Sequence, residues 1–221
     1  MIKDNLLQVL DAIEVARRKT QTPSVKLIAV TKTHPVETMR EAIDCGVTDI
    51  GENRVQEAVD KFATLERNVI KHLIGHLQTN KVKQAVKHFD LIHSVDSKHL
   101  AEAVDRAARA IDKIQDVLIQ VNIAREAQKS GVDVEEFDAL VETVRHCENL
   151  RFRGLMMIAP NYEDVEQCRP LFNRMYRLFL RQKEINPTVE YLSMGMTHDY
   201  KIAIEEGANM IRIGTAIFGA R

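Results

Sequence analysis

Eight short runs of β-branched and aliphatic residues recur along this chain, and each of the first seven gives way to a longer stretch whose apolar residues recur at helical spacing. No other feature constrains the fold as tightly. The strand-type runs fall at 26–31, 49–51, 72–75, 91–95, 117–122, 152–158, 191–194 and 210–214. Helical spacing fills 37–45, 54–67, 79–89, 98–111, 134–147, 163–183 and 199–206, and residues 1–19 read as a leading amphipathic helix. Ser97 and Asp133 stand where N-caps belong, and Gly46 and Gly207 where a helix ends in a left-handed residue.

Strict alternation calls for parallel strands joined by helical crossovers. Eight such units in 221 residues, somewhat short of the roughly 250 of a typical (β/α)8 barrel, favour a closed TIM barrel with an extra N-terminal helix. An open doubly wound sheet is the alternative. Only nine glycines and five prolines occur, with no low-complexity or charge-block linker, so residues 1–221 are expected to form one domain.

Charge removes several classes of function. The 31 basic and 32 acidic side chains leave a net charge of −1, so no basic footprint exists for nucleic acid or an anionic membrane surface. The longest apolar stretches, such as 155–159, fall far short of the roughly 20 residues of a membrane span. The N-terminus lacks the apolar core of a secretory signal. Cys45, Cys147 and Cys168 are odd in number and widely spaced, which points to a reducing cytoplasm rather than to disulfides or zinc. No helix carries an apolar face in excess of what the barrel needs, so a monomer is expected.

In a barrel of this type the loops after the strands carry the chemistry. Here they bring Lys32, Glu52, Asn53, His76, Asp96, Asn122, Ala159, Pro160, the segment SMGMTHD, Gly214 and Thr215. Lys32 continues the inward alternation of Ile28 and Val30. A desolvated lysine amine is the nucleophile of Schiff-base chemistry, although a lysine at a strand end also snorkels to solvent or pairs with a carboxylate. Arg212 shares a face with Met210 and Gly214 and should point inward, toward either a planar or anionic ligand or a structural ion-pair partner. Ser193, Gly195, Thr197, Gly214 and Thr215 make two small-residue segments in the adjacent last loops, with a helix starting near Asp199, a pattern suited to a phosphate as well as to tight turns. His72 and His76 lie on a strand and turn rather than on one helical face, so no metal is expected. No GxGxxG, GxxxxGK[ST] or GxSxG motif occurs.

In combination, AVTKTHP (29–35), GENRVQE (51–57), HLIGHLQTNK (72–81), GLMMI (154–158), SMGMTHD (193–199) and RIGTAIFG (212–219) resemble the pyridoxal phosphate homeostasis protein family over nearly the whole chain. The resemblance implies a fold-type III barrel, like the N-terminal barrel of alanine racemase, that binds pyridoxal 5′-phosphate as an internal aldimine on Lys32. It further implies that Arg212 meets the pyridine nitrogen and Asn53 lies beside the ring. Ser193, Gly195, Met196, Thr197, Gly214 and Thr215 would form the phosphate cup, with the Met194 and Met196 side chains packed nearby. Some family members carry a second lysine where this chain has His34, and Lys129 matches another family lysine and offers a secondary contact.

An arginine can only donate to the pyridine nitrogen, which makes the ring a poorer electron sink than a carboxylate partner would. The resemblance implies that racemising relatives nevertheless keep the arginine and add a tyrosine base from an extra domain. Here Tyr162, Tyr176, Tyr191 and Tyr200 do not stand where that base is expected, and the chain ends soon after Gly214. The expected function is therefore a carrier that buffers pyridoxal 5′-phosphate in vitamin B6 homeostasis and passes it to apoenzymes, with no catalytic residue. The alternatives are a pyridoxal phosphate-dependent racemase or decarboxylase, a cofactor-free Schiff-base aldolase, and a pure interaction protein.

Overall fold

The computed structural model closes the eight parallel strands into a barrel, whose inward residues fill the lumen and whose outward residues meet the helices. It describes residues 1–20, 22–126 and 130–219. In order, the elements are α1 (Ile2–Arg17), β1 (Lys26–Val30), α2 (Val36–Asp44), β2 (Asp49–Glu52), α3 (Val55–Phe62), β3 (Ile70–Leu73), α4 (Val82–His88), β4 (Leu91–Val95), α5 (Lys98–Arg109), β5 (Gln115–Gln120), α6 (Val134–His146), β6 (Leu150–Met156), α7 (Arg169–Ile185), β7 (Tyr191–Ser193), α8 (Tyr200–Glu205), β8 (Met210–Ile213) and α9 (Thr215–Phe218). The strands run in sequential order around a closed barrel, β8 pairing with β1. The closed TIM barrel replaces the open-sheet alternative.

Outward strand residues such as Ala29, Ile50, Ile119 and Ile211 pack with the helices in one continuous shell. Ile28, Leu91, Leu118, Met156 and Met210 form a second buried cluster on the inward phase, inside the lumen. The helix after β8 is short, and α1 takes its place in the ring. Its buried residues Ile2, Leu6, Val9, Ile13 and Ala16 recur at helical spacing, and it packs against α2, α8 and α9. Asn5 adds a hydrogen bond from its side-chain amide to the Ile217 carbonyl, 3.0 Å.

The Ser97 side chain caps α5 by accepting from the Leu100 N–H at 3.2 Å, whereas Asp133 holds the N-cap position of α6 without a side-chain bond. Gly46 and Gly207 have φ of +107° and +99°, as their places after α2 and α8 require. Among the described residues no helix is long and apolar enough to cross a membrane.

Candidate functional site

Lys32 follows β1 by two residues and is half-buried. The chain stays tied to β2 through Thr31, whose N–H donates to the Gly51 carbonyl at 3.0 Å, then turns through Thr33 at φ +65°. A cluster from the neighbouring unit grips this turn. Lys61 Nζ on α3 donates to the Thr31 carbonyl (3.0 Å), to Glu52 Oε1 (2.9 Å) and to Glu57 Oε1 (2.6 Å). The Thr31 hydroxyl donates to Glu52 Oε1 at 2.7 Å, and Glu57 accepts the Thr33 N–H. Glu52 is fully buried, and its Oε2 has no hydrogen-bond partner among the described residues. Burial raises its pKa even though Thr31 and Lys61 pull the other way. At Glu57 burial pushes the pKa up, but Lys61 and the Thr33 N–H together hold it below the usual value.

Arg212 projects into the lumen from β8, in register with Ile28 of β1, and is 3% exposed. Its Nη1 donates to Ser193 Oγ at 2.7 Å and its Nη2 to the Met157 carbonyl at 2.8 Å. Among the described residues no carboxylate lies within ion-pair distance, so the structural ion pair is not what holds it. Burial pulls its pKa down to about 10, with Asp199 opposing. It stays cationic at neutral pH. Asn53 follows β2 at the same end of the barrel, half-buried, and its backbone lies so close to Gly75 that a Cβ there would stand 2.2 Å from the Asn53 carbonyl oxygen.

In the loops after β7 and β8 two of the expected residues have contacts of their own. Ser193 is fully buried and its hydroxyl is engaged by Arg212 and by His93 Nδ1 at 3.1 Å. Met194 packs into the core, but Met196 is 38% exposed and its N–H donates to Asp199 Oδ1 at 2.6 Å. The reason is Gly195 at φ +96°, which turns the chain against α8 and directs the next residue outward. Asp199 sits ahead of α8, and burial raises its pKa against the pull of the Met196 N–H and Arg212. Asp199 holds the N-cap position of α8 without a side-chain bond to the helix's first turn. Thr197 is half-buried, Gly214 leads directly into α9, and Thr215 is exposed at its start. The His34 ring packs on Phe218 with centroids 4.7 Å apart. Lys129 lies outside the described residues.

A feature not anticipated from sequence is a polar chain inside the lumen. Asp49 Oδ1 lies 2.9 Å from His72 Nε2, His72 Nδ1 lies 2.9 Å from His93 Nε2, and His93 reaches Ser193 and so Arg212. Lys26 Nζ stands 3.2 Å from Asp49 at the far end. The available signal was a polar residue on the inward phase of three successive strands. Among the described residues no group of His, Cys, Asp and Glu is arranged to hold a metal ion.

Comparison with known proteins gives consistent results. The family model described as alanine racemase, N-terminal domain, matches residues 5–221. A pyridoxal phosphate homeostasis protein of Aquifex aeolicus (strain VF5) is 42% identical over 99% of this chain and 97% of its own length. The protein of that name in Escherichia coli (strain K12) is 40% identical over 100% of this chain and 97% of its own length. Among solved structures, PipY of Synechococcus elongatus PCC7942 with pyridoxal phosphate bound superposes with a TM-score of 0.86, at 37% identity, covering 99% of this chain and 100% of that one.

Proposed function

The chain belongs to the pyridoxal phosphate homeostasis protein family, built on the alanine racemase N-terminal barrel, and from that premise we propose that it binds pyridoxal 5′-phosphate at the barrel mouth and carries it without turnover. One observation supports this reading above the others. Arg212 is a buried guanidinium with no carboxylate partner among the described residues, at the end of the barrel where Lys32 and the two glycine-containing loops converge. Ser193 and the Met157 carbonyl take two of its five N–H donors, and a ligand acceptor for a further one would offset more of the cost of burying the cation.

The donor set fits the cofactor. When bound, pyridoxal 5′-phosphate supplies an aldehyde that condenses with a primary amine. Lys32 is the amine at the mouth, held there by the turn that Lys61 and Glu57 grip. Arg212 donates toward the pyridine nitrogen, and Asn53 borders the ring. Gly195, Thr197, Gly214 and Thr215 supply the phosphate cup through hydroxyls and backbone N–H groups, and the first turn of α9 leaves N–H groups without an intrahelical partner. Ser193 acts through Arg212, and the Met196 N–H is committed to Asp199.

A guanidinium has no lone pair with which to accept. Arg212 therefore leaves the ring nitrogen as an acceptor and withholds the proton on which carbanion chemistry draws. Racemising relatives keep such an arginine and add a tyrosine base, and with none of Tyr162, Tyr176, Tyr191 and Tyr200 expected in that place, the weaker electron sink favours a reversible carrier that buffers a reactive aldehyde and delivers it to apoenzymes. Cys45, Cys147 and Cys168, none of them in a disulfide among the described residues, support a reducing, cytoplasmic setting.

The test is the visible absorption spectrum after adding pyridoxal 5′-phosphate, followed by borohydride reduction and peptide mapping. The expected outcome is a visible band that borohydride removes, a trapped pyridoxyl group on Lys32, and neither in Lys32→Ala. A colourless protein, or trapping at another lysine, overturns the assignment. Amino-acid turnover that vanishes in Lys32→Ala would replace the carrier with an enzyme.

A further inference from the structure

The lumen chain has a direction, and the direction follows from what each group can donate. A guanidinium only donates, so at the upper end Ser193 Oγ accepts from Arg212 Nη1. At the lower end Asp49 is a carboxylate. Burial pushes its pKa up, but hydrogen bonds from His72 and Thr48 hold it below the usual value, so it only accepts and His72 carries its proton on Nε2. His72 Nδ1 then accepts from His93 Nε2–H, and His93 Nδ1 accepts from the Ser193 hydroxyl. Each link is filled by one proton, all running from Arg212 toward Asp49. Reversing the two middle links would need a second proton on His72. It would also strand the Ser193 hydroxyl hydrogen, because the contacts of that oxygen are with Arg212 and His93. Burial agrees, since it disfavours a charged imidazole at His93.

We infer that His93, backed by His72 and Asp49, is a positioning residue for Arg212: it accepts the hydrogen bond of the Ser193 hydroxyl, turns the serine lone pairs toward the guanidinium, and so fixes the donor that the cofactor's ring nitrogen meets. The role toward the ring nitrogen rests on the proposed cofactor. The direction of the chain does not.

Two measurements separate these parts. Nitrogen-15 NMR of the cofactor-free protein reads the tautomers directly. Both His72 and His93 are expected as Nε2–H forms, and a proton on His93 Nδ1 overturns the chain. The second measurement compares His93→Leu with His93→Gln, whose carboxamide supplies one donor and one acceptor as the imidazole does. His93→Leu is expected to weaken pyridoxal 5′-phosphate binding about tenfold, the scale of one charge-assisted hydrogen bond, and to move the visible absorption maximum of the bound form. His93→Gln should keep the maximum and stay within about twofold of the wild-type affinity. Unchanged binding and spectrum in His93→Leu overturns the positioning role. A wild-type protein that bound no cofactor would defeat the carrier reading and this role with it, while the tautomers would still judge the chain.

Discussion

Gly195 is the residue on which the last loops depend. Its φ of +96° lies in the left-handed region, and a Cβ there would come within 2.7 Å of the Ala203 Cβ and 2.9 Å of the Tyr200 Cα. The second contact is with the backbone of α8, which cannot yield by a rotamer change. Gly46 provides the control, at φ +107° with nothing within 4 Å of the added carbon. Gly46→Ala should cost about 1–2 kcal/mol, the conformational part alone. Gly195→Ala should cost that plus roughly 1–3 kcal/mol of overpacking, and should also weaken cofactor binding because the loop between β7 and α8 must move. Urea unfolding of the two variants measures the difference. Equal losses would show that the close approach to α8 contributes nothing.

At the scale of elements, the β2–α3 unit holds the turn of its neighbour. Glu52 is completely buried beside Lys61, whose side chain is 12% exposed, so removing the lysine leaves a buried carboxylate without its cation. Lys61→Met should cost about 3 kcal/mol. Combining it with Glu52→Gln should recover part of that loss, which a double-mutant cycle by chemical denaturation would detect. Strict additivity would mean the pair is not coupled. This grip was not legible in the sequence, although Glu57 and Lys61 have ordinary i,i+4 spacing, because the residues they hold belong to a different βα unit. The alternation itself was legible, as was the inward phase of Arg212, because β8 keeps a period of two up to its end. Strands β5 and β6 begin two residues earlier than their apolar runs do. Val121 still donates to the Met156 carbonyl while bridging Val132, and Met157 continues the apolar pattern past the last strand residue while its carbonyl receives Arg212. Asp49, His72 and His93 each show an inward phase on their own strand. Which of them touch depends on the stagger of strands around the barrel, and a single strand's pattern does not encode that stagger.

For the whole molecule, the lumen is a mixed core in which an apolar cluster surrounds a buried polar chain, and the chain makes stability depend on pH in a way an all-apolar lumen would not. The clearest case is His93, fully buried, with burial holding its pKa well below 6.5 and with His72 and Arg212 adding repulsion. The unfolded chain therefore binds a proton there that the folded protein refuses. Stability contributed by the neutral imidazole is complete above the unfolded value and falls as pH drops below it, by about 1.4 kcal/mol for each pH unit. Asp49 contributes in a lower window, because its depressed pKa is lost as a stabilising influence only when pH falls below the ordinary value of 3.8. His88, also lowered chiefly by burial, adds a wild-type slope that a substitution at position 93 leaves in place. Denaturation midpoints measured from about pH 7.5 down to about pH 5.5 should thus show a steeper loss in the wild type than in His93→Gln, with the two curves diverging by about one proton's slope. Parallel curves would mean that His93 takes up its proton in the folded barrel, and the neutral link between Arg212 and Asp49 would not exist.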